Sequence, residues 1–156
     1  MTGPHDDNRA TTDGTLGLVV VDHGSRRHQA NWAHEEFVRT WPDRGRYRAI
    51  EPAHMELAEP SIAAAFAACV AAGATTVVIA PYFLWPGSHW DRDIPELAAE
   101  ASRHHPGIGY LVTAPLGSHP LLSQIVDERV SYCLAHATGG APECEMCTGS
   151  GRCFLR

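Results

Sequence analysis

The hydrophobic pattern along the chain switches repeatedly between strand-like runs and helical stripes. Residues 16–22, Leu-Gly-Leu-Val-Val-Val-Asp, are almost continuously apolar, as expected of a strand buried on both faces of a parallel sheet. Ala30, Ala33, His34, Phe37, Val38 and Trp41 then recur at helical spacing until Pro42 ends the run. Residues 46–54 form a weaker second strand. Glu59-Pro60-Ser61 opens a second helix, with Pro60 suited to its first position, and Ile62, Ala65, Phe66, Cys69 and Val70 draw its apolar stripe up to the stop at Gly73. Residues 75–80 are rich in β-branched side chains and give the clearest strand, followed by a long loop over 81–91. Asp93-Ile94-Pro95-Glu96 reads as a capped helix start, with Asp93 as the cap and Glu96 reaching back. Ile94, Leu97, Ala98 and Ala101 are the buried stripe of that helix. Residues 108–114 form a fourth strand, and Leu122, Ile125, Val126, Val130 and Cys133 mark the buried face of a last helix.

Strands that alternate with helices at this spacing predict an α/β fold with a four-stranded parallel sheet and right-handed crossovers. The polar start, 1–15, reads as a disordered leader, residues 16–136 as the α/β domain, and the Gly-, Pro- and Cys-rich residues 137–156 as a separate tail. The net charge of −6 leaves no basic footprint for nucleic acid, so a polyanionic ligand must meet local cations. No run resembles a signal peptide or approaches membrane-spanning length, so the cytosol is the expected setting. There are five cysteines, and in that setting clustered ones point to metal or redox chemistry more than to disulfides.

The four strand ends carry the candidate chemistry. The first runs into His23-Gly24-Ser25-Arg26-Arg27, the second into His54-Met55-Glu56, the third into a loop ending Gly87-Ser88-His89, and the fourth into a loop with His119. In a parallel sheet these loops share the edge where ligands bind. Histidines plus a carboxylate there suit first-row divalent metals, and Tyr82, Phe83, Trp85 and Trp90 around His89 suit the wall of a flat apolar ligand. Simpler roles compete: Gly24 and Ser25 as a turn and cap, His119 as a helix entry, Asp93 as a cap.

Four ordered stretches carry a resemblance. They are Val20-Val21-Asp22-His23-Gly24-Ser25-Arg26; His54-Met55-Glu56-Leu57-Ala58-Glu59-Pro60-Ser61-Ile62; Pro81-Tyr82-Phe83-Leu84 with Gly87-Ser88-His89 and Asp93-Ile94-Pro95; and Pro115-Leu116-Gly117-Ser118-His119-Pro120. Together they resemble the small class II tetrapyrrole chelatases, the sirohydrochlorin cobalto- and ferrochelatases. The resemblance implies a flavodoxin-like unit that inserts Fe(II) or Co(II) into sirohydrochlorin without nucleotide, working in its short form as a homodimer. By motif position His23 and His89 are the expected metal-binding and catalytic histidines, with Glu56 as an accessory carboxylate. Ser25, Arg26, Arg27, Ser88 and Arg92 are nominated as donors and counter-charges for the substrate carboxylates, and Phe83 as part of its wall. Asp22 departs from the Gly or Ala expected before the histidine, a change that bears on the hydrogen bonding of His23.

Cys144, Cys147 and Cys153 have C-x2-C-x5-C spacing, and the stretch also satisfies one half of a zinc hairpin. The tail resembles the C-terminal extension of plant-type sirohydrochlorin ferrochelatases, which implies a two-iron, two-sulfur cluster. Cys133, or cysteines shared across a dimer, would complete either site, although Cys133 also falls on an apolar stripe. Cys69 reads as structural. The favoured function is a sirohydrochlorin ferrochelatase making sirohaem. The alternatives are cobalt insertion for cobalamin, a non-catalytic metal or tetrapyrrole carrier, and a flavodoxin-like binding domain with a zinc-stapled tail.

Overall fold

The computed structural model describes residues 15–155; all but the last residue of the expected leader lies outside them. The chain divides into two compact units, the first running to Gly117 and the second from Ser118. In the first unit β1 (Leu16–Asp22), α1 (His28–Arg39), β2 (Ala49–His54), α2 (Ile62–Ala71), β3 (Thr76–Pro81), α3 (Ile94–Arg103) and β4 (Gly109–Val112) follow one another. All strand pairings are parallel, in the order β2-β1-β3-β4. This is the expected α/β sheet, and the strand order is of the flavodoxin type.

β1 is central and buried on both sides, which is why its sequence shows no polar alternation. Val19 and Val21 pack with Ile62, Ala65, Phe66 and Cys69 of α2 and with Ile94, Ala98 and Ala101 of α3. Leu18 and Val20 face the other way, onto Val38 of α1 and Ile50 of β2. The apolar stripe of α2 holds as written apart from Val70, which is only half-buried. The start of α2 differs: Ser61 is the cap, accepting from the Ala64 N–H, so Pro60 lies before the helix instead of at its first position.

Three other expectations are corrected. In α1, Ala30 and Ala33 are exposed, and the buried positions are Asn31, His34 and Val38. Two of these three are polar, because the end of the sheet above them presents polar groups. The helix of residue 93 starts earlier than its capping pattern implied: a wide turn over His89–Asp93 leads straight into α3, and the Asp93 side chain makes no cap bond. In α4 (Pro120–Ala137) of the second unit, no residue is buried; Ile125, Val126 and Val130 are exposed, so its apolar stripe is not part of a core in the single chain. Among the described residues no helix is long and apolar enough to cross a membrane.

Gly17 shows how close the layers are. A Cβ added there would lie 2.5 Å from Cys69 Cβ and 2.8 Å from its sulfur. Burial pushes the Cys69 thiol up to about 12, so it is an inert packing group. Gly17→Ala is expected to lower stability by about 1–3 kcal/mol, the usual range for overpacking. Urea denaturation checks this; an unchanged midpoint would show that α2 can shift away from β1 at little cost.

Candidate active site

From β1 the connection goes outward to β2 on one side, while β3 lies on the other. The crevice beyond the carboxyl ends of β1 and β3 is therefore the topological switch point of the sheet. His23 leaves β1 there, and the loop after β3 brings His89 to it. Their rings stand edge to face with centroids 5.1 Å apart. Both side chains are about two-fifths exposed, so the pair is open to solvent.

Each ring has its own carboxylate. The β1–β2 ladder continues past the strand ends: Met55 N–H donates to Asp22 O at 2.8 Å, and Glu56 N–H to His23 O at 3.1 Å. Glu56 thus sits opposite His23, with Oε1 2.8 Å from His23 Nε2. His23 Nδ1 faces the Gly24 carbonyl at 3.1 Å. Gly24 is required here, since φ is +83° and a Cβ would fall 2.0 Å from the Glu56 carbonyl oxygen. Leu57, the next turn residue, has φ of +67°, an uncommon conformation for a bulky side chain. His89 Nδ1 pairs with Asp93 Oδ2 at 2.8 Å, one turn further on, and Arg92 Nε donates to Asp93 Oδ1 at 2.9 Å. A carboxylate on Nδ1 fixes the tautomer that leaves Nε2 able to accept a proton or an ion. Asp93 is thus a site residue that its helix-start pattern concealed; the signal for it was the four-residue spacing from His89.

The other expected residues are distributed unevenly. Phe83 is half-buried against the core and tilts toward His89 at 6.3 Å between ring centroids. The remaining aromatics do not surround His89. Tyr82 turns to His34 and Phe37, Trp90 donates its Nε1–H to Thr113 O at 2.8 Å, and Trp85 is exposed. Ser25 Oγ accepts from Arg27 N–H, Ser88 precedes the wide turn without a cap bond, and Arg26 and Arg27 are exposed. His119 accepts the Leu121 N–H and so caps α4 in the second unit. A cleft of about 640 Å³ adjoins the pair, lined by Glu56, Asp93, Glu96, Glu100, Arg103 and Met55 among others. Four carboxylates against one guanidinium make it a groove that attracts cations.

In the second unit Cys133, Cys144, Cys147 and Cys153 are free thiols drawn together. Cys153 Sγ lies 3.2 Å from Cys147 Sγ and 3.7 Å from Cys133 Sγ. The backbone N–H groups of Met146 and Cys147 hold the Cys144 thiol below its usual range, Met146 contributing most. Hydrogen bonds to Cys147 and then Cys133 push Cys153 up to about 12. Four sulfurs in one cluster, with backbone donors aimed at one of them, fit the donor set of a four-thiolate site. Among the described residues, no group of three or more His, Cys, Asp or Glu side chains stands in an arrangement that could hold a metal ion.

His89, then Arg92, holds the Asp93 carboxyl below the usual range through their hydrogen bonds. A lowered folded-state pKa stabilises the fold above the unfolded value, and that contribution is lost as pH falls through the folded one. A carboxyl-carbon NMR titration of Asp93 is expected to give a midpoint below the reference 3.8, and His89→Ala to raise it. A midpoint at or above the reference would mean that Asp93 does not support His89.

Residues 17–133 match the CbiX family. Over 139 residues the chain is 52% identical to the chloroplastic sirohydrochlorin ferrochelatase of Arabidopsis thaliana, a match covering 89% of this chain and 62% of that protein. It is 30% identical over 142 residues to the sirohydrochlorin cobaltochelatase of Methanothermobacter thermautotrophicus, covering 80% of this chain and 96% of that protein. The crystal structure of the sirohydrochlorin chelatase SirB from Bacillus subtilis subspecies spizizenii in complex with cobalt matches with a TM-score of 0.70 at 30% identity, covering 75% of this chain and 50% of that one. The chain thus spans about three-fifths of the plant relative's length and half of the Bacillus chain. With its sheet and its two-histidine crevice inside the matched region, the chain belongs to the CbiX family.

Proposed function

We propose that the chain is a sirohydrochlorin ferrochelatase, inserting Fe(II) into sirohydrochlorin to give sirohaem without nucleotide. One observation carries the reading: two histidine–carboxylate pairs, His23–Glu56 and His89–Asp93, stand with their rings 5.1 Å apart at the switch point. Insertion must strip water from the ion, hand it to four ring nitrogens and take up two pyrrole protons. Two imidazoles supply borderline-soft nitrogen donors for the ion. Two imidazole–carboxylate pairs also supply one proton acceptor for each pyrrole proton, near neutral pH where histidine works best. The short His23–Glu56 contact opens when an ion takes His23 Nε2, and the freed carboxylate carries protons toward solvent.

The charges divide the labour. The acidic groove beside Glu56 and Asp93 suits an arriving cation and repels an octacarboxylate. Arg26, Arg27 and Arg92, with Ser25 and Ser88, are the donors for the substrate carboxylates, and Phe83 is the apolar wall beside His89. The open pair lacks a second wall, and a homodimer supplies it in this reading. Free thiols at all five cysteines suit a reducing compartment such as the cytosol.

Cobalt insertion is the second reading, because the same donors take either ion and the Methanothermobacter relative is a cobaltochelatase. Cys133 of α4 and Cys144, Cys147 and Cys153 of the tail would hold a two-iron, two-sulfur cluster. Such a cluster supplies an oxygen- and redox-sensitive element, which suits regulation, as insertion involves no electron transfer. Zinc is the alternative occupant of the same thiols.

Purified anaerobically and given sirohydrochlorin with Fe(II), the chain should shift the Soret band faster than the uncatalysed control. His23→Ala and His89→Ala should each remove at least about 100-fold of that rate, the low end for general acid–base loss. If both variants keep the parent rate, the pair is not the catalytic centre; if Co(II) alone is turned over, the cobalt reading replaces the iron one.

The same preparation should be brown, with charge-transfer bands that Cys147→Ser abolishes while chelatase activity persists. A colourless protein with stoichiometric zinc would replace the cluster with a zinc staple, and loss of activity with the colour would give the cluster a catalytic part.

A further inference from the structure

A set of buried polar groups lies on the α1 side of β1, apart from the histidine pair. His54, at the end of β2, is fully buried, and its Nδ1 donates to Asp22 Oδ1 at 2.6 Å. Its Nε2 faces Glu35 at 3.5 Å without a hydrogen bond. The same Asp22 oxygen accepts the Gly24 N–H at 2.9 Å. His34, also buried, donates Nε2–H to Val20 O at 3.0 Å and turns Nδ1 toward Asp22 Oδ2 at 3.9 Å. Asn31 grips Ser25 twice: its Oδ1 accepts the Ser25 N–H and its Nδ2 donates to Ser25 O, both at 2.8 Å.

Such groups are costly to bury, and a fold keeps them where their bonds fix something. These bonds clamp the two peptide planes that flank Gly24. Asp22 holds the plane between His23 and Gly24 through the Gly24 N–H. Asn31 holds the next plane through the Ser25 N–H, and that plane carries the Gly24 carbonyl against which His23 Nδ1 rests. The first plane is also held at its His23 carbonyl by the Glu56 N–H; without the clamp glycine, the most permissive residue, would let the second plane turn and loosen the first.

We propose that Asp22 is a positioning residue for His23, braced by His54 and seconded by Asn31, and that it sets the ring orientation at the site. The clamp acts through its acceptor oxygen, so an amide at this position does the same work. The catalytic part of the claim rests on the chelatase reading; the conformational part does not.

Two variants test it, Asp22→Ala and Asp22→Asn, with Asn31→Ala as an independent opening of the same clamp. Amide exchange at Gly24 should become at least about tenfold faster in Asp22→Ala, while Val19 and Val21 stay protected. Long-range nitrogen NMR of the His23 imidazole should show one fixed proton arrangement in the parent and averaging in Asp22→Ala and Asn31→Ala. Asp22→Asn should preserve both signatures.

In the chelatase assay, kcat should fall by about 100-fold in Asp22→Ala with KM for the tetrapyrrole unchanged, and recover with asparagine. An unprotected Gly24 in the parent, or an asparagine variant as impaired as alanine, would overturn the clamp. If Asp22→Ala does not fold, Asn31→Ala and Asp22→Asn decide the matter on the same readouts. Intact exchange and imidazole results beside a parent that shows no turnover would reject the chelatase reading and leave the clamp standing.

Discussion

The backbone ladder between β1 and β2 does not stop where the strands do. Two further hydrogen bonds, from Met55 to Asp22 and from Glu56 to His23, carry the pairing into what would otherwise be loops. The rest of the site depends on that extension. It puts the Glu56 carboxylate on the His23 ring and forces the chain past Gly24 at a distance only glycine tolerates. It also brings His54 beneath Asp22. The sheet is rigid because β1 is covered on both faces, so the rigidity of the core passes directly into the first half of the pair.

Legibility in the sequence followed the strength of the pattern. β1 and α2 were readable because continuous apolar runs and clean stripes leave few alternatives. His23, Glu56 and His89 were readable as strand-end residues, since a parallel sheet gathers such ends at one edge. Asp93 was hidden by a competing explanation. Asp-Ile-Pro-Glu is a convincing cap signal, yet the helix begins a turn earlier and the carboxylate is left for His89. The polar frame was hidden for a different reason. Asn31, His34 and His54 sit at buried positions where a core side chain would be apolar, and their partners, the Ser25 backbone, the Val20 carbonyl and the Asp22 carboxylate, are set by the fold and not by local periodicity. The apolar face of α4 misled in the opposite sense, because an amphipathic pattern says that a surface is to be covered without saying by what.

Cys133 with the three tail cysteines, and the two site histidines, illustrate two ways of preparing donors. In the tail, thiols meet one another and the backbone, and their protons are shared among sulfurs. At the site, each imidazole meets a carboxylate, and the rings meet only edge to face. The first arrangement gathers several sulfurs at one point. The second sets a carboxylate beside each ring.

The wide turn at His89–Asp93 has a mechanical consequence. His23 and Glu56 are tied to the sheet, whereas His89 and Asp93 form a closed pair on the turn that leads into α3, whose first residue, Ile94, is fully buried. The site therefore rests on two supports, a strand ladder and a helix start. A change that shifts the start of α3 would carry His89 and Asp93 together, while the sheet side keeps its register.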